Sequence, residues 1–520
     1  MALDGRTPVV VGVGQVTSRS DASASPRTAP AIAWLEGRPH PFELMARAIE
    51  AAARDCTGRS LLDRAGSLAV VGGLGWRAAN PGLLLAERVG IEPSEHVLSA
   101  TGGTMPVSLL HRAARLISSG ALGVAVVVGG ECLYTSDAAR AAGVRRRDLG
   151  WPVQDESVPG PELWGTDREP ATPAEVACGI TLPIYAYPLL ENAWRGAHGL
   201  SIHEHRARLG RLWASFSAVA ASNPCAWLTR PLEPEEIARE GPDNRMVAFP
   251  YTKLLTANLR VDQAAAFICC SVDEARAAGV PKDRWIFPLA GAEANDHWFL
   301  SDRPRLWESP ALRSAGRRAF ELAGTGPIDV GPIDLYSCFP SVVQMAAAEL
   351  GMAERLERTE GGGDGLTVTG GLTFAGGPGN NYATHAVAAM VDRLREAPDE
   401  TGLVTGLGWY ATKHAVALLS GRPPLHGGAP YRWDDVQATV DLLPRCTTDP
   451  AATGPVTVET YTVVYGRDGA PERAICACRT AEGTRTWATI VGRGELEAAA
   501  SEELLGREGV VWPAARLTLT

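Results

Sequence analysis

The sequence lacks the features of membrane-spanning and nucleic-acid-binding proteins. No apolar run approaches the ~20 residues that span a bilayer. The first residues show no basic segment followed by an apolar core, which predicts no secretory signal and a cytoplasmic location. Lys and Arg number 49 against 59 Asp and Glu, a formal net charge of -10. Because phosphate backbones and anionic membranes need a concentrated positive surface, no nucleic acid and no membrane is expected as a partner.

Cysteine is also sparse, with ten residues in 520. The scattered spacing does not indicate a disulfide framework, and a reducing compartment would keep these residues as thiols. Cys446, Cys476 and Cys478 lack the paired Cys-x-x-Cys knuckles of a structural zinc site, so no metal site is predicted. One basic run, residues 145–147, could bind a phosphate group, although such runs are usually solvated.

The composition and hydrophobic pattern predict a layered α/β protein of two or three domains. Hydrophobic residues make up 45% and charged residues 21% of the chain, which is typical of a globular protein. A short apolar strand at residues 8–13, a polar loop up to about residue 41 and a helical pattern at 41–53 open the chain. Helices separated by proline-rich connections follow at 134–249, and alternating residues at 456–464 and 473–479 predict a hairpin within a small antiparallel barrel.

Four short motifs are predicted to lie at corners of the chain. The first is Ser-Ala-Thr-Gly-Gly-Thr-Met-Pro at 99–106, ahead of a helical stretch. The second is Tyr-Ser-Cys-Phe at 336–339, after the strand residues 333–335. The third is the glycine-rich loop 370–381, and the fourth is Gly-Leu-Gly at 406–408. We expect the four corners to meet at one place.

This order of motifs resembles the thiolase superfamily, and within it the thiolase-like proteins of type 1. The tail around residues 458–464 and 469–473 is similar to their additional C-terminal domain. The resemblance implies an α/β, duplicated thiolase fold (layered α/β/α/β/α) with an inserted loop domain and a small C-terminal β-barrel-like domain. It places the first half at residues 1–283 with the loop domain at about 134–249, the second half at 284–425 and the additional domain at 426–520.

Three of the family's four usual catalytic side chains are absent. Counting back along the helix places the family's nucleophilic cysteine at Gly103, whereas counting forward from the strand places it at Thr101. Gly377 stands in the position of the histidine in the Gly-His-Pro motif, and Gly406 in that of the cysteine in Cys-x-Gly. The resemblance therefore implies an acyl-CoA-binding, acetyl-CoA acetyltransferase-like acyltransferase that depends on other residues.

Three side chains are the candidate catalytic residues. Cys338 could act as base or acyl acceptor if its thiol ionises, although a buried cysteine is often inert packing. His414 has an ordinary pKa near ~6.5 that suits proton transfer, and could equally be a capping histidine. Tyr336 could donate a hydrogen bond in an oxyanion hole, or pack in the core. Backbone and side-chain donors predicted to bind the thioester are Gly102, Gly103, Gly376, Gly377, Asn380, Asn381 and Tyr410.

Two further functions fit the same residues. The chain could be a non-catalytic acyl-CoA binder or partner subunit that docks another protein through its C-terminal domain. It could also catalyse retro-aldol cleavage of a CoA ester with Tyr336 or Tyr410 as base. No covalently bound cofactor is expected, coenzyme A thioester being substrate or ligand, and both a homodimer and a monomer remain open.

Overall fold

The chain, in a computed structural model, is described for residues 3–19, 35, 37–56, 59–155, 157–362, 365–425 and 427–520. Most of the predicted polar loop before residue 41 lies outside these ranges. Within them, no helix combines the length and the apolar character that crossing a bilayer requires.

The first half contains a six-stranded sheet with strand order β1-β8-β4-β2-β3-β5. The strands β2 to β5 run parallel to one another, and β8 is antiparallel to both β1 and β4. Both faces of β4 and β8 are buried, which explains their almost continuous apolar sequences. The strands are β1 (Pro8–Thr17), β2 (Ser67–Val70), β3 (Glu95–Ser99), β4 (Val124–Cys132), β5 (Glu162–Trp164) and β8 (Asp262–Ser271).

The second half contains a five-stranded sheet with strand order β10-β11-β12-β9-β13. Two helices, Met105–Ser119 and Tyr382–Glu396, contact strands of both sheets, so they form the central layer. Helix Pro41–Cys56 covers the outer face of the first sheet, and helix Pro310–Ala323 covers that of the second. This is the layered α/β/α/β/α arrangement predicted from the sequence. The strands are β9 (Phe287–Asn295), β10 (Val330–Asp334), β11 (Thr401–Gly408), β12 (Lys413–Ser420) and β13 (Arg432–Asp435).

Helix Met105–Ser119 shows how local sequence sets this central layer. Pro106 stands in its first turn, where the missing N–H group has no helical partner to lose. Gly120 ends the helix in the left-handed conformation, with φ of 81°. Outside the inserted segment, the other helices are Arg59–Leu62, Pro81–Val89, Leu133–Ala141, Val272–Ala277, Pro340–Glu349, Ala353–Glu360, Gly371–Phe374, Gln437–Asp441 and Arg493–Ser501.

The inserted segment is mostly helical. Its helices are Pro173–Ala177, Pro183–Ala197, Ile202–Ser222 and Pro234–Ala238, and its strands are β6 (Met246–Ala248) and β7 (Tyr251–Thr252). Ala248 pairs with Val464, so this segment extends the sheet of the C-terminal region. The domain boundaries drawn from the sequence stay predictions.

The C-terminal region forms the predicted small barrel, which is closed and five-stranded, but it is not wholly antiparallel because β16 and β18 pair in parallel. Its strands pair in the order β15-β16-β18-β17-β14, and β14 closes the ring by pairing with β15. In chain order this is 1-2-3-5-4-1, the strand order of the OB-fold, with helix Arg493–Ser501 between the third and fourth strands. The strands are β14 (Gly454–Tyr465), β15 (Pro471–Thr480), β16 (Arg485–Ile490), β17 (Glu508–Trp512) and β18 (Arg516–Leu519).

The barrel is docked through the outer face of its first three strands. Alternate residues of β15, such as Cys476 and Cys478, fill the barrel interior, while their neighbours Ile475 and Ala477 belong to the large core of the two halves. Trp487 on β16 joins the same core. The face that OB-folds commonly use to bind ligands is therefore buried against the rest of the chain.

Glu293 on β9 gives the fold a pH-dependent stability. Burial raises the pKa of this carboxyl to about 7, while hydrogen bonds from Ser108 and Trp433 oppose the shift. Because the folded protein holds the Glu293 proton more tightly than the unfolded chain, this carboxyl stabilises the fold fully at pH values below 4.5, its pKa in the unfolded chain. The stabilisation is lost as the pH rises through about 7, the pKa in the folded protein. At ~1.4 kcal/mol per unit, discounted for the residual solvent exposure of Glu293, the loss is about 2 kcal/mol.

We therefore expect Glu293→Gln to stabilise the protein by about 2 kcal/mol at pH 8.5, with a smaller gain at pH 5. Urea unfolding of both proteins at the two pH values measures the difference. Glu354→Gln is the matched control, since the Glu354 side chain is 95% exposed. Equal gains at both pH values would contradict the assignment.

Candidate functional site

The four predicted corners meet between the two halves. The N–H of Gly102 donates to Asn380 Oδ1 at 3.1 Å, which joins the first and third corners. The N–H of Tyr336 donates to Thr405 Oγ1 at 2.8 Å, which joins the second and fourth. Gly103 contacts both Tyr336 and the carbonyl of Leu407. The four motifs therefore come together between the two sheets, as their order along the chain predicted.

Tyr336 fills the space beside Gly103. A Cβ atom on Gly103 would lie 2.2 Å from Tyr336 Oη and 2.6 Å from Leu407 O. Separations under 3.0 Å do not occur for real Cβ atoms, so any side chain at 103 would displace the phenol or the backbone. The absence of cysteine at this corner is thus accompanied by a tyrosine that occupies the room its side chain would need.

The helix beyond this corner begins with an unpaired hydroxyl. Thr104 caps helix Met105–Ser119, yet its side chain makes no capping hydrogen bond. Thr104 is 2% exposed, and its Oγ1 has no hydrogen-bond partner within the described part of the chain. Trp409, after the fourth corner, also buries its Nε1–H without a described partner. Most buried polar groups have a hydrogen-bond partner, so these two atoms retain hydrogen-bonding capacity that the described residues do not use.

Cys338 lies at the second corner in an apolar environment. Burial raises the pKa of its thiol to about 12, although a hydrogen bond with Tyr187 opposes the shift. Tyr187 stacks on Phe339 with ring centroids 4.4 Å apart. Since reactivity follows the thiolate fraction, Cys338 is a neutral thiol at physiological pH.

The two candidate tyrosines are also neutral. Burial raises the pKa of Tyr336 far above its ordinary value, and the nearby Cys338 adds to the shift. Burial raises the pKa of Tyr410 to about 12, with smaller contributions from the carboxylates of Glu175 and Glu169. Both phenols can donate a hydrogen bond at neutral pH, and neither is ionised there.

Residues 409–412 form a constrained loop between β11 and β12. Trp409 and Ala411 have φ of 57° and 52°, in the left-handed region that side chains other than glycine rarely adopt. The hydroxyl of Tyr187, from the inserted segment, donates to Trp409 O at 2.6 Å and accepts from Ala411 N–H at 3.0 Å. A single side chain thus holds both unusual residues and also contacts Cys338.

His414 is separated from the other predicted catalytic residues. Its Nε2 lies 3.1 Å from Asp296 Oδ2 and 3.1 Å from Ser309 Oγ, at the start of helix Pro310–Ala323. The preceding residue, Lys413, points to the first corner instead, because neighbouring side chains of a strand face opposite sides. His414 is therefore part of a buried hydrogen-bond cluster on the far face of β12.

Lys413 is the functional candidate that the sequence reasoning missed. Its ammonium donates to Thr101 O at 2.8 Å and Thr166 O at 2.5 Å, and lies 5.7 Å from the Trp298 ring centroid. Burial lowers its pKa, and Asp167 opposes the shift. The signal available in the sequence was a lysine close to the apolar run 415–419, and the structure shows that this lysine is only 4% exposed.

The glycine-rich loop is held by the first half. Asn380 Nδ2 donates to Gly72 O at 2.7 Å and Asn381 Nδ2 donates to Gly129 O at 2.6 Å. The N–H of Gly377 donates to Asn258 O. Gly376 has φ of 112°, and a Cβ there would lie 2.2 Å from Gln263 Oε1. The side-chain amides of Asn380 and Asn381 and the N–H of Gly377, like the N–H of Gly102, therefore have partners within the protein.

Comparison with known proteins shows which family has this fold and this C-terminal domain. Residues 435–515 match the family model of the thiolase-like protein type 1 additional C-terminal domain. The monomeric SCP2-thiolase-like protein type 1 (STLP1) of Mycobacterium smegmatis superposes with a TM-score of 0.81 at 29% identity, with 100% of both chains covered. The chain belongs to the thiolase superfamily as a thiolase-like protein type 1.

More distant structures share the thiolase fold alone. The Ltp2–ChsH2(DUF35) aldolase has a TM-score of 0.59 at 18% identity, with 80% of this chain and 98% of that chain covered. The dimeric peroxisomal thiolase of Saccharomyces cerevisiae has a TM-score of 0.55 at 13% identity, with 80% and 98% covered. No curated protein matches the sequence. Within this thiolase-like protein, no group of three His, Cys, Asp or Glu side chains among the described residues is arranged to hold a metal ion.

Proposed function

We propose that this thiolase-like protein binds a CoA thioester between its two halves without forming an acyl-cysteine. The observation that carries the proposal is the contact at Gly103, one of the two positions that align with the family's nucleophile, where Tyr336 and Leu407 fill the space beside the glycine. Covalent acyl transfer needs an activated nucleophile at the thioester carbonyl. Tyr336 is neutral and Cys338 is a neutral thiol, so the site offers hydrogen bonds rather than a nucleophile.

The unpaired polar atoms support a carbonyl-containing ligand. Thr104 Oγ1 and Trp409 Nε1 can both donate, and both lie on segments that form the junction. The thioester and the two amides of a CoA arm carry carbonyl oxygens that would accept these bonds. Lys413 adds a positive charge near the first corner, which favours a ligand of negative charge.

Retro-aldol cleavage of a CoA ester is the second candidate. It is favoured by the phenol of Tyr336, which lies against Gly103, one of the two positions that align with the thiolase nucleophile, and by the aldolase among the structures of the same fold. Because burial raises the pKa of Tyr336, this phenol would have to act as proton donor rather than base.

Calorimetry with acetyl-CoA and with free CoA tests the proposed binding. Mass spectrometry of the intact protein after incubation with acetyl-CoA tests for a covalent acetyl group. We expect binding of acetyl-CoA, tighter than that of CoA, with no added acetyl mass. Thr104→Val should weaken acetyl-CoA binding about tenfold, since a hydrogen bond of about 1.4 kcal/mol is lost. Thr457→Val, on an exposed position of β14, should leave the affinity unchanged.

Three outcomes separate the functions. An acetyl adduct on any cysteine would contradict the proposal and favour the acyltransferase function instead. Turnover of 3-hydroxyacyl-CoA esters that is lost in Tyr336→Phe would favour the retro-aldolase. No binding of either CoA species would reject the ligand class altogether.

We also propose that the protein is a monomer. The strand β5 pairs along β3 and occupies the edge of the first sheet, through which thiolases usually dimerise. The similar STLP1 is described as monomeric. Light scattering on the sample used for calorimetry measures the mass. A partner protein at the C-terminal domain and a cytoplasmic location stay predictions.

A further inference from the structure

Arg485 of the barrel is an interior cation at the junction with the second half. The residue is 0% exposed and pairs with Glu459 through bonds of 2.7 and 2.6 Å. Its Nη1 donates to the carbonyls of Leu300, Ser301 and Arg303. One guanidinium of the barrel therefore donates hydrogen bonds to three backbone carbonyls of a single turn in the second half.

Trp487, two residues along the same strand, holds the same turn. Its Nε1 donates to Ser301 Oγ at 2.9 Å. Ser301 Oγ donates in turn to Glu175 Oε1, which also accepts from Ser301 N–H. The turn is thus fixed from the barrel side by Arg485 and Trp487 and from the inserted segment by Glu175.

The turn carries Arg303, which reaches the candidate site. Arg303 is 3% exposed, and its Nη1 donates to Tyr410 O at 2.9 Å. Its Nη2 donates to Thr412 Oγ1 at 2.8 Å. Both acceptors belong to loop 409–412, whose left-handed residues persist only where neighbouring structure holds them. Tyr187 clamps this loop from one side, and Arg303 clamps it from the other.

We propose that Arg485 is a positioning residue, through which the docked barrel holds loop 409–412 in the conformation that completes the ligand site. The fused barrel then acts as a structural part of that site rather than as a separate binding module. The effect on ligand affinity rests on the proposed CoA-thioester binding. The effect on the loop itself does not.

Hydrogen exchange of the full chain tests the proposal without any ligand. In Arg485→Gln we expect amides in residues 408–413 to exchange at least tenfold faster, because Arg303 loses its fixed turn. Trp487→Phe removes only the indole donor and should give about a threefold increase at the same residues. This milder variant keeps the test valid if Arg485→Gln does not fold.

Glu503→Gln is the matched control. Glu503 also joins the barrel to the rest of the chain, through an ion pair with Arg195, but does not touch residues 300–304. This control should leave exchange at 408–413 at the wild-type rate, and it should leave acetyl-CoA affinity unchanged while Arg485→Gln lowers it at least tenfold. Wild-type exchange at 408–413 in both Arg485→Gln and Trp487→Phe would overturn the proposal. If wild-type protein binds no CoA ester while the exchange pattern holds, the proposed function fails and the positioning role stands.

Discussion

Gly103→Cys is expected to destabilise the protein by about 3 kcal/mol, the upper end of ordinary overpacking. The new Cβ would meet Tyr336 Oη at 2.2 Å and Leu407 O at 2.6 Å. Neither atom is the free end of a flexible surface chain: Tyr336 is 7% exposed, and Leu407 contributes its backbone. A cysteine at this candidate nucleophile position should therefore weaken the fold.

Removing the phenol should reverse part of this cost. Tyr336→Ala alone leaves a cavity, which costs roughly 3 to 5 kcal/mol for a large aromatic residue. In the double variant the cysteine enters the vacated space, so the combined loss should be smaller than the sum by about 1 to 3 kcal/mol. The backbone of Leu407 does not move with Tyr336, which keeps the rescue partial.

Denaturant unfolding of the four proteins measures this coupling. Gly103→Ala separates the effect of the Cβ atom from that of sulfur, and Gly494→Cys is the control because a Cβ on Gly494 meets no heavy atom within 4 Å. In the double variant, a thiol at the start of helix Met105–Ser119 should react with iodoacetamide, since a helix N-terminus favours the thiolate. Strictly additive losses would show that Tyr336 does not occupy the nucleophile's space.

Much of the fold could be predicted because the sequence signals for its helices, strands and turns are local. Proline and glycine at helix ends, such as Pro106 and Gly120 around helix Met105–Ser119, mark where the elements begin and end. The alternation of helices and short strands predicted layers, the resemblance of the four motifs to the thiolase superfamily implied two halves, and the alternation in β14 and β15 indicated the barrel. The strand order of the barrel depends on long-range pairing between β14 and β17, which no local pattern specifies.

The side chains of the site were harder to predict, because their roles depend on strand phase and on distant contacts. His414 and Lys413 are adjacent, and a shift of one residue decides which of them faces the first corner. With the start of β12 unknown, the histidine was chosen for its pKa and the lysine was overlooked. The contact between Gly103 and Tyr336 joins the two halves, so neither residue alone predicts it.

Glu191→Gln is expected to cost about 3 kcal/mol of stability, the upper end of the loss caused by leaving a buried hydrogen-bonding group without its partner. Glu191 is 0% exposed and accepts from Tyr251 Oη at 2.5 Å and Gln344 Nε2 at 2.7 Å. His205 Nε2 lies 2.6 Å from its Oε1. A glutamine amide would place an N–H group against at least one of these donors, which leaves that donor without an acceptor.

Urea unfolding measures this loss, with Glu87→Gln on an exposed position of helix Pro81–Val89 as the matched control. Tyr251→Phe should cost less in the Glu191→Gln background than in the wild type, because its hydroxyl has then already lost the charged acceptor. Equal costs of Tyr251→Phe in both backgrounds would mean that the two residues act independently.

We expect Glu191→Gln to alter the candidate site as well. Tyr251 stacks on Phe339 with centroids 5.5 Å apart, and Phe339 stacks on Tyr187, which holds both left-handed residues of loop 409–412. Loss of the Glu191 acceptor should therefore speed alkylation of Cys338, followed by mass spectrometry of the peptide that contains it. If the protein loses 3 kcal/mol while Cys338 keeps its wild-type alkylation rate, Glu191 supports the packing of the inserted helices alone.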